Sequence, residues 1–283
     1  MAEPDIYDLY AVKYATHQRK AAANFVNPVD PHEAWPIDYF VWAAVSSRRT
    51  FVIDCGFKAE TAKKRGRTFL RCPTEALALI GVDAKTVKDV IVTHFHYDHI
   101  GNFDLFPAAT FHLQDREMAF ATGRHMLEPK HGNSMNVDDV VGMVRHVYGH
   151  RVRFHDGDHE LAPGISLHHI GGHTDGLQSV RVMTQRGSVV VASDAAHLYA
   201  NMETRNPFPV IFELDTVLAG YDRLKELADS PDHVVPGHDP LVLKYYPAVS
   251  PKLDGIAVRL DEPPAKARLG RGLITDNDRH SGR

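Results

Sequence analysis

The chain has 283 residues, of which 43% are hydrophobic and 24% are charged. This is the composition of an ordinary globular protein, and it argues against a fully disordered or fibrous chain. Lysine and arginine total 32 against 36 acidic residues, so the formal net charge of −4 predicts no general affinity for nucleic acids. Histidine is abundant, with 19 residues. Because histidine is the commonest metal ligand and titrates near neutrality, its abundance favours a search for a metal site.

Cysteine content and hydropathy indicate a protein that stays in the cytoplasm. Only Cys55 and Cys72 are present, and they form neither a disulfide framework nor a CxxC motif. The segment Met1 to Asp5 is acidic where a secretory signal is basic and then apolar. No window approaches the roughly 18 apolar residues of a membrane span. We therefore expect a soluble, unexported protein without a membrane partner.

Runs of β-branched and aromatic residues in the first half predict strands of one sheet. The predicted strands are Tyr7 to Tyr14, Asp38 to Ser46, Thr50 to Asp54, Val87 to Val92 and Thr110 to Leu113. Pro73 to Ile80 predicts a short helix with proline in its first turn, and a further helix begins near Gln114.

A second series of strands follows a predicted helix over Val137 to Tyr148. Its members are Ile165 to Ile170, Gln178 to Thr184, Ser188 to Ala192 and His233 to Val235, with an amphipathic helix over Asp215 to Ala228. Two series of strands with flanking helices predict an α/β layered fold with one sheet from each half. We predict a single domain over residues 1–260 with an insert at about 123–160, and a flexible C-terminal tail over 261–283.

The strand Val87 to Val92 runs into the string Thr93-His94-Phe95-His96-Tyr97-Asp98-His99. His94 and His96 are two residues apart, so on an extended segment both imidazoles point to one side. Asp98 and His99 then enter a turn, which can aim them at a second point. One nitrogen-rich cluster and one mixed nitrogen and oxygen cluster suit a pair of zinc-like ions.

Two ions need more ligands than these four, and three turns after predicted strands offer them. His173 lies in Gly171-Gly172-His173-Thr174, Asp194 follows the strand Ser188 to Ala192, and His238 follows Pro236-Gly237. Each of these residues taken alone is more typical of an ordinary turn or cap. The ligand count of a two-metal site makes them candidates once the histidine string is accepted as a metal site.

The other histidines are interpreted without a metal role. His168 and His169 are neighbours on a strand, where one must face away from any site. The scattered histidines, for which a secondary metal site is a minor alternative, are read as surface or hydrogen-bonded residues: His112, His125, His131, His146, His150, His155 and His159.

Together these motifs resemble the metallo-β-lactamase superfamily over roughly residues 38–240, and within it the N-acyl homoserine lactonase group and related lactonases. The resemblance implies an αββα sandwich with two mixed sheets, helices on the outer faces and the site at one edge of the sheets. It also implies that His94, His96 and His173 hold one metal, that Asp98, His99 and His238 hold the other, and that Asp194 bridges them. Members of the family often form dimers, so a homodimer is an open expectation.

One position departs from the lactonase pattern. The lactonases usually place a tyrosine three residues after the bridging aspartate, where its hydroxyl assists the substrate; here the residue is His197, and Tyr199 follows two residues later. An imidazole can hydrogen-bond the same oxygen or donate a proton to a leaving alkoxide. His197 and Tyr199 are therefore candidate catalytic residues, with the alternative that His197 is a loop residue without a role.

The predicted activity is hydrolysis of a lactone, an N-acyl homoserine lactone or a related one, at two divalent ions. We expect zinc, with iron, manganese or cobalt as alternatives. In the predicted mechanism a hydroxide that bridges the ions attacks the carbonyl, Asp98 orients the water, and His197 or Tyr199 supplies a proton. Met202, Phe208 and Phe212 are candidate substrate contacts, each with core packing as the alternative, and they suggest a pocket that is not highly charged.

Rival functions within the same superfamily differ in what they require. A phosphodiesterase or nuclease needs a basic face, and no lysine or arginine cluster is evident near the ligand motifs. A β-lactamase must be exported, and a di-iron oxidoreductase usually replaces His96 by an acid and adds a flavin domain. A thioesterase of the glyoxalase II type is the nearest alternative. A metal-binding sensor without catalysis is the alternative of a different class.

Overall fold

A computed structural model describes residues 5–264. Two β-sheets account for its strands: β1 Asp8–His17, β2 Ile37–Val45, β3 Thr50–Ile53, β4 Thr68–Phe69, β5 Asp89–Ile91, β6 Thr110–Gln114, β7 Val152–His155, β8 His159–Ala162, β9 Ile165–His169, β10 Gln178–Thr184, β11 Gly187–Ser193, β12 Val234–Pro236 and β13 Ala257–Arg259. The first sheet has the strand order β13-β1-β2-β3-β5-β6-β7, with β4 paired to β1, and the second has the order β12-β11-β10-β9-β8.

Both sheets mix parallel and antiparallel pairs. In the first, β1, β2 and β3 are antiparallel neighbours, whereas β3, β5, β6 and β7 are parallel. In the second, β11 pairs with β12 in parallel and the remaining pairs are antiparallel.

Short helices occupy the connections between strands. Their bounds are α1 Ala59–Arg65, α2 Pro73–Ala78, α3 Tyr97–Ile100, α4 Asp115–Thr122, α5 Pro129–Gly132, α6 Val137–Tyr148, α7 Tyr199–Glu203, α8 Leu214–Leu227 and α9 Leu241–Tyr245. Within residues 5–264, no helix combines the length and the apolar composition that crossing a lipid bilayer requires.

Alternation along β2 shows how the layers pack. Phe40 and Trp42 belong to the core between the two sheets, together with Val180 of β10. Val41 and Ala43 belong to a second core on the opposite face, which also contains residues of α1 and α2. Because successive side chains of a strand point to opposite faces, a strand buried on both faces is apolar on both, as β2 is apart from Asp38.

The outer face of the second sheet is covered by α8. Its apolar residues Val217, Tyr221 and Leu224 are buried at the spacing of one helix face and join the core that includes β11. The expected αββα sandwich with two mixed sheets and outer helices is therefore confirmed.

The sequence predicted the main elements but missed several short ones. The strands β4, β7, β8 and β13 and the helices α1, α5, α7 and α9 were not expected, because elements of two to seven residues carry too little periodicity to be recognised. The strand β13 joins the first sheet beside β1, so that sheet is not built from the first half of the chain alone.

The single domain with an insert and a tail stays a prediction. The strand β7 lies within the segment proposed as an insert and pairs with β6. The strand β8 crosses the end of that segment and pairs with β9. Asp261, the first residue of the proposed tail, is buried and accepts a hydrogen bond from the Leu9 amide at 3.2 Å. Residues 265–283 of the proposed tail lie outside the described residues.

Candidate metal centre

The candidate site lies where several strands end at one edge of the sandwich. Asp54 follows β3, His94 follows β5, His173 follows β9, Asp194 follows β11 and His238 follows β12. The strands β3 and β5 are parallel, as are β11 and β12, and β9 and β11 share a direction because both are antiparallel to β10. Their carboxyl ends therefore meet at one edge, which is why residues far apart in sequence converge.

The local conformation of the histidine string matches its predicted division. His96 is extended, with φ −63° and ψ 150°, and it immediately precedes α3. Asp98 and His99 lie on that short helix. The change from extended chain to helix turns these two side chains away from His94 and His96 and towards a second point.

The carboxylate of Asp194 lies at the centre of the histidines. Its Oδ2 atom is 3.2 Å from His173 Nε2, 3.0 Å from His197 Nε2 and 3.7 Å from His94 Nε2. A ring nitrogen of His96, Nδ1, lies 2.8 Å from His173 Nε2. This side of the carboxylate therefore faces three of the predicted ligands of one metal, and His197 as well.

The other oxygen of Asp194 faces a different set. Its Oδ1 atom is 3.0 Å from His238 Nε2 and 3.3 Å from His99 Nε2. The Asp98 carboxylate completes this set, 3.8 Å from His238 Nε2 and 3.9 Å from His99 Nε2. The two oxygens of one carboxylate thus face two separate groups of potential ligands.

The residues present fit a pair of divalent ions. Among residues 5–264, three groups have ligand atoms that all lie within 4.8 Å of one another: His94 with His96, His173 and Asp194; Asp98 with His99 and His238; and Asp194 with His197 and His238. The buried atoms His94 Nε2, His99 Nε2 and Asp194 Oδ1 have no hydrogen-bond partner in the part of the chain that the structure describes. Since buried polar atoms are nearly always paired, unpaired nitrogens and oxygens that converge on common points indicate ions as their partners.

Burial and charge favour the protonation states that metal ligands need. Burial, reinforced by neighbouring histidines, lowers the pKa of His94 and His96 well below the ordinary value. Burial would raise the pKa of Asp194, but His197, His238 and His99 outweigh it and hold that pKa well below its ordinary value. His94 and His96 are therefore neutral beside an ionised carboxylate, the forms that bind metals. At His99 and His238 burial acts in the same direction, but Asp194 and the other nearby carboxylates outweigh it and raise the pKa of both imidazoles.

Hydrogen bonds to groups outside the ligand set orient three of the site's histidine side chains. His99 Nδ1 donates to Asp54 Oδ2 at 2.7 Å, His173 Nδ1 donates to the Val210 carbonyl at 2.7 Å, and His238 Nδ1 donates to the Asp38 carbonyl at 2.9 Å. Each bond places the ring proton on Nδ1 and leaves Nε2 free to face Asp194. Such outer partners fix the tautomer and orientation of metal-bound histidines.

Asp54 connects this support to the end of β5. Its carboxylate accepts hydrogen bonds from the backbone amide and the hydroxyl of Thr93, both at 2.8 Å.

Asp54 and Ser193 both have positive φ angles, 62° and 49°, in the left-handed region that residues other than glycine seldom adopt. Backbone strain at two residues beside the site is typical of a functional centre.

Glycine at position 237 lets the β12 loop approach Asp194. A Cβ atom at Gly237 would lie 2.7 Å from the Ser193 carbonyl oxygen and 2.9 Å from Asp194 Oδ1. Only glycine allows this approach without a shift.

A buried glutamate, missed by the sequence reasoning, joins two of the ligand loops. Glu117 accepts hydrogen bonds from the Phe95 amide at 2.7 Å, the Thr174 hydroxyl at 2.7 Å and the Gly176 amide at 3.1 Å. Burial raises its pKa to about 7. Nothing in the sequence marks this residue, because it reads as one of several acids at the start of α4.

The structure brings two of the remaining candidates to the site. His197 and Phe208 line a cavity of about 110 Å³ that also contains His96, Asp98 and Asp194. Their rings are stacked at 3.8 Å with an interplanar angle of 5°. Burial lowers the pKa of His197 to about 3, so its imidazole is neutral and can donate a hydrogen bond from Nε2 to Asp194.

The other three candidates are not brought to this cavity. Tyr199 is buried, with its ring 5.7 Å from that of Tyr245, and Met202 is buried in the same hydrophobic cluster. Phe212 packs its ring against Phe120 at 4.9 Å. None of the three is among the cavity-lining residues within 5–264.

The charge of the cavity differs from the expectation. Arg19, Arg65 and Arg67 line it together with the metal-site residues. The expectations that no arginine cluster lies near the ligands and that the pocket is not highly charged are therefore wrong. These arginines precede the histidine string by 27 residues or more, so only the folded chain brings them to the site.

Comparison with known proteins supports the same assignment. A family model described as the metallo-β-lactamase superfamily matches residues 37–238. The chain is 28% identical over 166 residues to the N-acyl homoserine lactonase AiiA of Bacillus thuringiensis subsp. kurstaki, and 27% identical over 165 residues to an N-acyl homoserine lactonase of Bacillus sp.. Both alignments cover 58% of this chain and 60% of the relative, so the similarity spans well under two thirds of those proteins.

Solved structures share the fold. A quorum-quenching N-acyl homoserine lactone lactonase aligns with a TM-score of 0.70 at 20% identity, covering 84% of this chain and 94% of that one. A dizinc quorum-quenching lactonase in complex with a product aligns with a TM-score of 0.66 at 16% identity, covering 84% and 90%.

Proposed function

This chain belongs to the metallo-β-lactamase superfamily, and from that premise we propose that it is a dinuclear metal-dependent hydrolase that opens a lactone ring. Similarity to N-acyl homoserine lactonases at 27–28% identity supports the reaction class. The observation that carries the proposal is the Asp194 carboxylate, whose two oxygens face two separate ligand groups.

The proposed ligands are those of the two groups described above. His94, His96 and His173 hold one ion, Asp98, His99 and His238 hold the other, and Asp194 is shared. We propose zinc, because nitrogen with carboxylate oxygen is the ligand set zinc prefers; iron, manganese and cobalt are compatible with it. When bound, a pair of such ions lowers the pKa of a water molecule and polarises a carbonyl group.

The chain's own residues hold and move the protons. Asp98 lines the cavity beside His99 and His238, so its carboxylate can orient the attacking water and accept its proton. His197 lies on the same wall and donates from Nε2 to Asp194, which keeps that carboxylate in position. Tyr199, buried among core residues, has no role in this proposal.

The balanced reaction is the addition of one water molecule across the acyl carbon to oxygen bond. The water oxygen bonds to the carbonyl carbon, the bond to the ring oxygen breaks, and the ring oxygen leaves as an alkoxide that takes up a proton. The product is a hydroxy acid, whose carboxyl group loses a proton at neutral pH.

A lactone panel tests the proposal directly. The protein loaded with zinc is assayed against an N-acyl homoserine lactone, γ-butyrolactone, an aromatic lactone and the thioester S-lactoylglutathione, with proton release as the readout. We expect ring opening of at least one lactone and its loss on chelation, with recovery on adding zinc back. Hydrolysis of the thioester alone would replace the lactonase by a thioesterase of the glyoxalase II type. No hydrolysis of any substrate by zinc-loaded protein would favour a metal-binding sensor.

A further inference from the structure

Three arginines at the candidate site lack carboxylate partners. Arg19, Arg65 and Arg67 line the cavity beside Asp98, yet within residues 5–264 none of them forms an ion pair. Elsewhere, Arg205 pairs with Asp222 at 2.9 Å even though both side chains are about half exposed. Guanidinium groups placed at a partly enclosed cavity without a counter-charge are available to bind an anion.

Hydrogen bonds hold one side of each of the three guanidinium groups. Arg67 donates from Nε to the Tyr97 hydroxyl at 3.0 Å, and its Nη1 is 3.1 Å from His17 Nε2. Arg65 donates through Nη2 to the Asn133 carbonyl at 2.9 Å, and Arg19 donates through Nη2 to the Ala23 carbonyl. The groups are therefore fixed in position before any ligand binds.

The other terminal nitrogens face no protein acceptor. Arg19 Nη1, Arg65 Nη1 and Arg67 Nη2 make no hydrogen bond to residues 5–264. The surroundings also limit alternative partners: Arg19 lies 4.9 Å above the Phe208 ring and Arg65 lies 3.9 Å above the Tyr97 ring. These rings hold the cations without neutralising them.

Apart from Asp98 and Asp194, which are both proposed metal ligands, the ionisable groups that line the cavity with the arginines are positive or neutral. Burial lowers the pKa of His17 to about 4, and Arg67 and Arg19 act in the same direction, so His17 is neutral and accepts from Arg67. The two carboxylates that share the cavity wall with the three arginines, Asp98 and Asp194, would be neutralised by the proposed ions. A net positive patch therefore remains beside the reaction centre.

We propose that this site selects a small lactone that carries a carboxylate, and that Arg19 and Arg67 bind this carboxylate while the ring carbonyl lies among the histidines. The inference rests on the proposed lactonase function and adds the substrate class. Two free guanidinium nitrogens match the two oxygens of a carboxylate. The cavity of about 110 Å³ is well below the roughly 300–1,000 Å³ of typical small-molecule pockets, which favours a compact carboxylate over a bulkier phosphate.

The reaction on this substrate is the same addition of one water molecule across the acyl carbon to ring-oxygen bond. Water adds to the ring carbonyl, the acyl carbon to ring-oxygen bond breaks, and the ring oxygen takes up a proton. The substrate's own carboxylate does not react, and the product is a hydroxy dicarboxylate. The arginines are specificity residues because they contact a group remote from the bond that breaks.

A pair of matched substrates tests the inference. γ-Carboxy-γ-butyrolactone and its neutral carboxamide have nearly the same size, so the ratio of their kcat/KM values measures recognition of the charge. We expect the zinc-loaded protein to prefer the acid by at least about tenfold, the factor that one charge-assisted hydrogen bond provides. Equal rates, or a faster carboxamide, would overturn the inference and leave the lactonase proposal standing.

Arginine variants assign the preference to residues. Arg19→Gln and Arg67→Gln should each lower the acid to carboxamide ratio by about tenfold, and Arg67→Lys should restore part of it because the charge is kept. Arg71→Gln is the matched control, since Arg71 is a half-buried arginine that donates to the Lys13 carbonyl at 2.7 Å and does not line the cavity. A ratio that stays at the wild-type value in both glutamine variants would overturn the assignment.

Calorimetry separates this inference from the catalytic proposal. Cyclopentanone carboxylate and its carboxamide cannot be ring-opened, so their binding to the zinc-loaded protein can be measured even if no lactone is hydrolysed. Tighter binding of the carboxylate, lost in Arg19→Gln and Arg67→Gln, supports the inference. Binding that both variants retain would mean that the carboxylate sits elsewhere and would overturn it, as would tighter binding of inorganic phosphate than of the carboxylate.

Discussion

Two histidine clusters of this protein differ in what their ring nitrogens face. The Asp194 cluster consists of His94, His96, His99, His173 and His238 around one carboxylate, and the Asp89 cluster consists of His112, His155 and His159 beside another. In the Asp89 cluster the nitrogens bond one another or the acid: His112 Nε2 to Asp89 Oδ1 at 2.9 Å, and His112 Nδ1 to His155 Nε2 at 3.2 Å.

The Asp194 cluster also contains one close nitrogen pair, His96 Nδ1 and His173 Nε2 at 2.8 Å, but its other inner nitrogens converge on the carboxylate. Outer nitrogens donate to Asp54 and to backbone carbonyls, and the inner nitrogens His94 Nε2 and His99 Nε2 have no hydrogen-bond partner among residues 5–264. Among residues 5–264, the groups with metal-binding geometry include no member of the Asp89 cluster. A cluster of histidines therefore does not by itself indicate a metal site. Ring nitrogens that lack hydrogen-bond partners and converge on a common point do indicate one.

The largest effect that tests this comparison is expected from the shared carboxylate. Asp194→Asn replaces an ionised bridge by a neutral amide, so metal content and lactone hydrolysis should fall by more than the 10- to 100-fold that loss of an outer hydrogen-bond partner typically costs. Bound metal is measured by elemental analysis after gel filtration. Asp158→Asn is the matched control, because Asp158 pairs with His168 at 2.9 Å outside the site. An Asp194→Asn protein with two tightly bound ions would contradict the bridging role.

Weakening the hydrogen bond from His99 to Asp54 should have the next largest effect. Asp54→Asn leaves a residue that tolerates the φ of 62° but weakens the acceptor for His99 Nδ1. Metal affinity, measured by competition with a chelator, should fall by about 10- to 100-fold. Asp89→Asn makes the same change in the Asp89 cluster and should leave metal affinity as it was. Equal losses in both variants would erase the proposed difference between the clusters.

Glu117 connects the loops of the Asp194 cluster, and its loss should reduce stability. At a pH about one unit above the Glu117 pKa of about 7, the carboxylate is ionised and accepts three hydrogen bonds. In Glu117→Gln the side-chain amide nitrogen, which cannot accept a hydrogen bond, must face one of these three donors. The free energy of unfolding, measured with urea, should fall by about 1–3 kcal/mol. Glu160→Gln, at an exposed position, should change it by less than about 0.5 kcal/mol. Similar values for the two variants would show that Glu117 does not join the loops.

How far the sequence could predict the site depends on how local each signal is. His94 to His99 could be grouped because their spacing and the preceding strand fix their relative directions within six residues. Asp194 and His238 could be proposed because each follows a recognisable apolar strand. Asp54, Glu117 and the arginines could not, since their roles depend on which strand ends meet and on pairings across the sandwich. The fold was predictable for the same reason as the ligands: its long strands carry a clear pattern, while the missed elements of two to seven residues do not.

The smallest expected effect concerns the Asp89 cluster and its response to pH. Burial, reinforced by His112, His159 and Arg153, lowers the pKa of His155 to about 4 from an ordinary value of 6.5. Between these two values the unfolded chain binds a proton that the folded protein does not, so the stability associated with neutral His155 is complete above pH 6.5 and is lost as the pH falls towards 4. His155→Gln cannot take up this proton, and its free energy of unfolding should therefore decline less steeply between pH 6.5 and pH 4 than that of the parent.

Urea unfolding at several pH values measures this slope, with His159→Gln, at an exposed neighbouring position, as the control. If His155→Gln and the parent lose stability in parallel, His155 is not held neutral by burial, and the contrast with the Asp194 cluster must be drawn on geometry alone.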